Sequence, residues 1–379
     1  GDFLSMVEIY RTLVITLIIA CFIGIMFTLT RLIFSGTILV IAILVYILIS
    51  YILFVEKSII IEMVRSISSF TFTGVLALAY RYFVADKDKR YLKGSFQHYI
   101  SAEVVDEIIK DPSKLTLGGE KKDITILFSD IRGFTKLSEI MDPQDLVNFL
   151  NNYQTMMTAV IFDHKGILDK YIGDAIVALF GAPVYRPDHA ERGVQTALKM
   201  MERLVEFRSV QTSNYLKTIN IGIGINTGEV IIGNMGSAQI FDYTAIGDNM
   251  NLASRLEGLN KYYGTNILIS NSTREAVSGE FVIREIDMVA VKGRSRITRI
   301  YELLGYRDSD DHLMKLCQIF EEAKIYYLNR DWETAIRLFK QVLKLRDDNP
   351  SKIFIERCRE FKSNPPDEEW AGQWIMSTK

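Results

Sequence analysis

The sequence predicts an α/β (α+β) protein: a ferredoxin-like βαββαβ domain, preceded by three transmembrane helices and followed by a helical hairpin. Three observations carry this expectation. Apolar residues are concentrated in the first 85 positions, in three runs of membrane-spanning length. From about residue 117, apolar strands alternate with segments of helical periodicity in the order β-α-β-β-α-β. Residues 311–346 then return to a purely helical pattern.

At 379 residues the chain is long enough for two or three folded units with cores of their own. A formal net charge of −2 leaves no broad electrostatic footprint for nucleic acid, so no such partner is expected. The hydrophobic fraction of 49% and mean hydropathy of +0.13 are high for a soluble protein, and the excess belongs to the N-terminal runs. Cys21, Cys317 and Cys358 form no CxxC pair, which argues against a disulfide framework or a cysteine zinc site. His98, His164, His189 and His312 are scattered, so a histidine metal site is not expected. The chain opens on Gly1 without a basic n-region or an A-x-A site, and reads as a piece of a longer protein with material upstream.

Apolar stretches at 12–30, 33–55 and 59–83 each supply the ~20 residues a spanning helix needs, giving a membrane unit over 12–83. The third carries Glu62 and Arg65 one turn apart. That pair is read as lying near the interface rather than as a signalling element. The basic cluster Arg81, Lys87, Lys89, Arg90 and Lys93 puts its side of the membrane in the cytoplasm. Residues 1–11 then form an extracytoplasmic remnant, and everything after 84 is cytoplasmic.

Residues 84–116 read as a charged helical connector. Apolar spacing in FQHYISAEVVDEII suits either a short coiled coil with a second copy or a linker helix on its own domain. DITILFS (123–129) reads as a buried strand. A helix follows over 142–164, with Asp142 as cap and Pro143 in the first turn. ILDKY and AIVALFG (167–181) form a hairpin turning at Ile172-Gly173-Asp174. A helix at 188–208, a strand pair at 217–236, the extended segment FDYTAIG and a helix at 248–263 complete the series. Topology alone assigns no chemistry. Within 308–379, EEAKIYYLNRDWETAIRLFKQVLKL reads as two amphipathic helices about Asn329-Arg330-Asp331, similar to one tetratricopeptide unit. One unit cannot bury its own face, so it is expected to pack on the preceding domain or on another chain. Trp370 and Trp374 in the tail are read as anchors onto a groove.

Asp130 and Asp174 both stand where a strand gives way to a turn. If strands 123–129 and 167–171 are neighbours, the two carboxylates meet at one sheet edge. Two carboxylates without histidine suit a hard cation such as magnesium. The amides of Ile131-Arg132-Gly133-Phe134-Thr135, ahead of a helix, suit phosphate oxygens. Together they describe a magnesium–nucleoside triphosphate site. The plainer reading of either aspartate alone is a strand end meeting water.

Four segments carry a more specific signal: FSDIRGFT (128–135), KYIGDAIVALFG (170–181), YTAIGDNMNLASRLE (243–257) and VKGR (291–294). In this order and with these gaps, residues 117–305 resemble the catalytic domain of the class III nucleotidyl cyclases. The spans, connector and tail are similar, more loosely, to bacterial inner-membrane adenylyl cyclases with an extracytoplasmic CHASE-type sensor upstream. The resemblance implies a signal-regulated adenylyl cyclase that converts ATP to cyclic AMP and pyrophosphate with two Mg2+ or Mn2+ ions. Asp130 and Asp174 match the metal aspartates, and Ile131 is placed with them. Ile131, Gly133, Phe134 and Thr135 are also placed on the substrate. Lys170 matches the lysine that meets adenine, and Thr244 stands where many relatives have aspartate. Asn251 matches the ribose-positioning residue, Arg255 the arginine on the reacting phosphate, and Lys292 the lysine on the terminal phosphates. In family members the aspartates come from one domain and the base, ribose and phosphate residues from another. A homodimer with two shared sites is therefore implied.

The residue types agree with that chemistry, an in-line attack of the ribose 3′-oxygen on the α-phosphorus with pyrophosphate leaving. Two metals suit the hydroxyl and the leaving group, and Arg255 suits the charge that builds on the phosphoryl oxygens. Arg255 follows Asn251 by four residues, on the same helix face. An ammonium only donates and adenine N1 only accepts, whereas guanine offers an N–H there, so Lys170 argues against a guanylyl cyclase. Thr244 both donates and accepts and discriminates less sharply. Plainer readings stand beside these: Lys170 with Asp169 as a surface ion pair, Thr244 as strand propensity, Arg255 with Glu257 as a charged face, and Lys292-Gly293-Arg294 as a basic turn. Asp248 is read as a helix cap and Arg132 is unassigned. NMGSAQI offers no counterpart to a phosphate-binding arginine of some relatives. The alternative function is a catalytically silent binding module, but none of the metal, base or transition-state positions is lost, which favours the enzyme.

Overall fold

The three apolar runs form three helices, α1 (Ile9–Leu29), α2 (Leu32–Lys57) and α3 (Met63–Tyr80). The computed structural model describes residues 5–6, 9–29, 32–80, 117–211, 213–237, 239–290, 297–307, 311–367 and 370–375. Lys292 and the expected connector at 84–116 lie outside the described residues. The chain divides into two units, Gly1–Tyr99 and Ile100–Lys379.

In the first unit each helix is long and apolar enough to cross a membrane. The shortest, α3, has 18 residues, or ~27 Å at 1.5 Å per residue. Leu17, Phe54 and Val64 expose apolar side chains outward, as lipid-facing positions do. The inward faces carry small polar groups that bond across helices. Ser66 Oγ lies 2.9 Å from Thr16 Oγ1 and accepts from Tyr46 OH at 2.9 Å. Glu62 and Arg65 form an ion pair at the start of α3, at a helix end rather than mid-span. Two short strands, β1 (Ser5–Met6) and β2 (Ile59–Ile60), pair in parallel.

The second unit is built on one mixed sheet. Its strands are β3 (Gly118–Ile131), β4 (Ile167–Ile172), β5 (Ala175–Phe180), β6 (Ile221–Gly236), β7 (Phe241–Ile246), β8 (Ile267–Ser270), β9 (Phe281–Ala290), β10 (Ile297–Tyr306) and β11 (Trp374–Ile375). They lie in the order β11-β9-β10-β8-β6-β3-β5-β4, with β7 paired on β6. Helices α4 (Phe134–Ile140) and α5 (Pro143–Asp163) follow β3, and α6 (His189–Ser209) follows β5. The central run β6-β3-β5-β4 with crossovers α5 and α6 is the βαββαβ arrangement that the alternation predicts. Asp142 caps α5 by accepting from Gln144 N at 2.9 Å.

Strand β3 is unalternated because both its faces are covered. On one face Leu127 packs with Phe149, Tyr153 and Met157 of α5 and Val194 and Met200 of α6. On the other, Ile124 and Ile126 pack with Val230 and with Ala253 of α8 (Asp248–Tyr263).

Three expectations need correction. Residues 217–236 are not a strand pair but lead into a single strand, β6, whose hairpin partner is β7. The Asn226-Thr227-Gly228 stretch looks like a turn because its glycine and amides serve packing instead. A Cβ on Gly228 would meet Asn249 Nδ2 at 2.6 Å, and Asn226 Nδ2 donates to Asn249 O at 3.0 Å. The strands 123–129 and 167–171 are not neighbours either, since β5 lies between them. Asp248 is the first residue of α8, after Gly247 at the cap position, which makes no side-chain capping bond.

The C-terminal segment folds as three helices rather than a hairpin: α10 (Asp311–Leu328), α11 (Trp332–Leu345) and α12 (Asn349–Ser363), after the short α7 (Asn214–Lys217) and α9 (Asn271–Ala276). Asp348 starts α12 by accepting from Ser351 N at 3.0 Å, with Pro350 in the first turn. The helices share a core with α8 and β9 through Leu252, Leu256, Tyr263, Val282, Phe320, Phe339 and Phe354. Trp370 packs among Tyr327, Trp332 and Phe361. Trp374 contributes backbone pairing to Val289.

Buried ion pairs fasten this layer. Arg284, 1% exposed, donates from Nε and Nη2 to Glu302 Oε2 at 2.8 and 2.6 Å, and from Nη2 to Asp348 Oδ1 at 2.5 Å. Arg357 Nη1 and Tyr263 OH both donate to Asp287 Oδ2, at 2.6 and 2.5 Å. Removing one partner of a buried pair strands the other. Arg284→Ala is therefore expected to destabilise this unit by about 3–5 kcal/mol, read as a loss in denaturant unfolding. An unchanged midpoint would show that the network does not hold the C-terminal layer.

Candidate active site

Strand register brings Asp130 and Asp174 together. Asp130 ends β3 opposite Gly222 of β6. On the other side β5 runs antiparallel, so its start lies beside the end of β3, with Ser129 opposite Ile176. Asp174 sits just before β5, in a tight turn where Gly173 takes φ 66°, a conformation glycine adopts without strain. The two carboxylates converge on one amide. Ile131 N donates to Asp130 Oδ1 at 3.1 Å and to Asp174 Oδ2 at 3.1 Å. Burial, and then the adjacent Asp130, push the Asp174 carboxyl up to about 7.

A third carboxyl stands nearby that the sequence reading took as part of a charged face. Glu257 of α8 lies over Gly222, where an added Cβ would meet its Oε1 at 2.7 Å. Burial, followed by the charge of Asp130, pushes Glu257 up to about 7 against the opposing pull of Arg132. No local pattern marks it, because the glycine that makes room for it faces Asp130 only through the register of β3 and β6. Arg132, unassigned from sequence, donates from Nη2 to Thr265 O and to Asn260 O. It ties the turn after β3 to the end of α8. Near the pair, the buried Tyr153 OH faces the buried Ser129 side chain.

The turn after Asp130 is less open than expected. The Ile131 amide is committed to the carboxylates, and Arg132 N donates to Asn220 O at 2.8 Å. Among the described residues, that leaves Gly133, Phe134 and Thr135, at the start of α4, as the amides of this turn with no backbone partner. Ile131 can serve a metal only through its carbonyl.

Lys170 and Thr244 meet at a different place. Lys170 Nζ is 3.7 Å from Asp169 Oδ2, and the Thr244 hydroxyl faces the same carboxyl. Asn251 and Arg255 lie one turn apart on α8. Among the described residues, the buried Arg255 Nη1 has no hydrogen-bond partner. Among the described residues, neither Asn251 nor Arg255 makes a hydrogen bond or ion pair to Asp130 or Asp174. One chain thus assembles a carboxylate pair and, separately, a lysine–threonine pair and an asparagine–arginine helix face.

Helix α8 is placed by the glycines of β6. A Cβ on Gly224 would fall 2.2 Å from Ala253 O and Glu257 N. Only glycine lets the helix backbone approach this closely. Its far end is held by the C-terminal layer, where Asn349 Nδ2 donates to Tyr263 O at 3.0 Å.

The donor set fits a hard divalent cation. It is all oxygen, and the charge repulsion from Asp130, which adds to burial in raising the Asp174 carboxyl, is one that a cation neutralises. Among the described residues no cluster of three or more His, Cys, Asp or Glu is arranged to hold a metal. Substrate oxygens are left to complete the coordination, as is usual for magnesium.

Comparison with known proteins bears on this arrangement. Residues 118–305 match the adenylate and guanylate cyclase catalytic domain. The chain is 39% identical over 243 residues to the terminal-differentiation specific adenylate cyclase of Dictyostelium discoideum, covering 62% of this chain and 11% of that protein. It is 43% identical over 187 residues to an adenylate cyclase of Anabaena cylindrica, covering 48% of this chain and 36% of that protein. The chain therefore spans only about a tenth to a third of the length of these curated relatives. Among solved structures, the adenylyl cyclase CyaB from P. aeruginosa is 34% identical with a TM-score of 0.46, covering 50% of this chain and 98% of that one. The guanylyl cyclase Cya2 is also similar, 37% identical with a TM-score of 0.46, covering 52% of this chain and 98% of that one. Through residues 118–305, the chain belongs to the class III nucleotidyl cyclase family.

Proposed function

We propose that this protein is a membrane-bound adenylyl cyclase that converts ATP to cyclic AMP and pyrophosphate as a homodimer with shared sites. The observation that carries the reading is the convergence of Asp130 and Asp174 on the Ile131 amide, within a domain of this family. Lys170 and Thr244 favour adenine over guanine, and the adenylate cyclase relatives agree.

Asp130, Asp174 and the Ile131 carbonyl would hold two Mg2+ or Mn2+ ions together with the substrate. When bound, such ions lower the pKa of the ribose 3′-hydroxyl and stabilise the leaving pyrophosphate. Gly133, Phe134 and Thr135 donate amides to phosphate oxygens. Arg255 donates to the oxygens of the reacting phosphate, where charge builds in the transition state, and Asn251 orients the ribose. Lys292 is assigned to the terminal phosphates on its motif. Arg255 Nη1, buried without a hydrogen-bond partner among the described residues, leaves a donor for a phosphate oxygen. The separation of the two residue groups within one chain supports a site completed by a second copy. Apolar side chains exposed on the paired strands, Ile172, Ile231 and Ile246, give that copy a surface to cover. The three apolar helices support attachment to a membrane, and the basic residues that follow them in the sequence favour a cytoplasmic catalytic domain.

Two outcomes are expected. Full chain in detergent micelles should form cyclic AMP from ATP with Mg2+ or Mn2+, form far less cyclic GMP from GTP, and lose activity by at least 100-fold in Asp130→Ala. A folded chain that makes neither product would favour the silent binding module. Secondly, Asp174 must release its proton before it can ligate. With its carboxyl raised to about 7, Mn2+ affinity should strengthen as pH rises through 7. The metal-free protein should show the opposite trend. The folded state holds that proton more tightly than the unfolded chain between about pH 4 and 7, so stability falls as pH rises through this window. Asp174→Asn should flatten the Mn2+ trend and weaken the stability trend, whose remainder comes from the raised Glu257 carboxyl, and pH-independent Mn2+ binding by the unmodified chain would contradict the assignment.

A further inference from the structure

Strand β4 carries one residue too many. Leu168 pairs with Ala178 and Lys170 with Val177, so Asp169 is the extra residue of a β-bulge. A bulge re-aims side chains and is common beside functional sites. Here it lets Asp169 and Lys170 approach one another instead of pointing to opposite faces. The Lys170 side chain is 41% exposed, whereas that of Asp169 is fully buried.

A buried carboxylate normally collects hydrogen bonds. Among the described residues neither Asp169 oxygen, both of them buried, has a partner at full hydrogen-bond geometry, so the carboxylate depends on the donors that face it. The donors facing it are the Thr244 hydroxyl and the Lys170 ammonium, the latter 3.7 Å away. Asp242 is the further charged group that acts on it. Thr244 itself is 7% exposed, held in the β6–β7 hairpin opposite Gly233. Burial raises the Asp169 carboxyl, while Thr244 and Lys170 draw it back down.

We propose that Asp169 is a positioning residue that fixes the hydrogen-bond polarity of the base pocket, by accepting a hydrogen bond from the Thr244 hydroxyl and another from the Lys170 ammonium. A free threonine hydroxyl donates or accepts. With its proton committed to Asp169, Thr244 presents only lone pairs to the substrate. Lys170, oriented by the same carboxylate, presents only N–H. The pocket then offers one acceptor beside one donor. Adenine matches both, with its 6-amino group as donor and N1 as acceptor. A 6-oxopurine is inverted at both positions, with O6 as acceptor and N1–H as donor. A site built on fixed polarity rejects such an inversion more strongly than one with a rotating hydroxyl. The threonine, which looks permissive in the sequence, becomes selective through a residue that does not touch the base.

This inference rests on the adenylyl cyclase reading, and the test separates the two. Wild type, Asp169→Asn, Thr244→Val and the double variant are prepared as full chain in detergent micelles. The kcat/KM values for ATP and for inosine triphosphate are measured, and displacement of a fluorescent ATP analogue by each nucleotide is read in parallel. Asn is isosteric with Asp, and its amide can donate to Thr244, which frees the hydroxyl proton. The ATP-to-inosine-triphosphate ratio is expected to fall at least tenfold in Asp169→Asn. On the Thr244→Val background the same change is expected to add little, because the two residues act through one interaction. A ratio that stays unchanged, or equal losses on both nucleotides, would assign Asp169 a structural role and overturn the proposal. If wild type turns over neither nucleotide, the adenylyl cyclase reading fails, while the displacement ratio still decides whether Asp169 sets base polarity. Equal displacement by the two nucleotides in wild type would overturn it as well.

Discussion

The register of β3 between β6 and β5 sets the geometry on which the rest of the catalytic unit depends. Asp130 lies opposite Gly222 on one side, and the neighbouring turn delivers Asp174 on the other. Two carboxylates are brought to one amide, a placement that is electrostatically unfavourable in the absence of a cation. The fold tolerates it because β3 is buried on both faces and pinned along its whole length by β6. A one-residue slip of β3 would turn Asp130 to the opposite face. Burial first, and this enforced proximity second, raise the Asp174 and Glu257 carboxyls.

The second constraint is the close approach of α8 to β6. Gly224 admits the helix backbone, and Gly222 and Gly228 clear Glu257 and Asn249. This fixes the helix that carries Asn251 and Arg255. Its opposite end is held from outside the family-matched region by Asn349, which donates to Tyr263 O, and by Arg357, which joins Tyr263 on Asp287. The C-terminal helices are thus a supporting layer for α8, bonded through buried charges as well as apolar contact. The sequence-level argument that a lone helical pair must pack on something finds its partner here, in α8 and β9.

Much of this was legible from residues alone. DITILFS reads as buried because it lacks alternation, and α8 spans the residues its periodicity marks. The Asp130 and Asp174 pair is visible as two strand ends. What could not be read is whatever depends on which strand lies beside which. β5 intervenes between the two aspartate-bearing strands, a sheet order that local pattern does not encode. Asn226-Thr227-Gly228 mimics a turn because glycine serves backbone clearance as well as turning. The Ile131 amide looked free for phosphate, but tertiary contact commits it to the carboxylates. Asp169 looked like half of a surface ion pair, and the bulge that buries it appears only in the register of β4. The third C-terminal helix was announced by Asp348 and Pro350, a start signal hidden behind the charged stretch Arg346-Asp347-Asp348.

The central claim is that the carboxylate pair of one copy works with the α8 residues of another. Complementation of two inactive variants tests it most directly. Asp130→Ala and Arg255→Ala are co-expressed as full chains, and cyclic AMP formation is compared with each variant alone. The account predicts activity well above the sum of the two, because a mixed dimer regains one intact site. If both variants fold and associate yet the mixture stays as inactive as its parts, the site is not shared between copies and the account is contradicted.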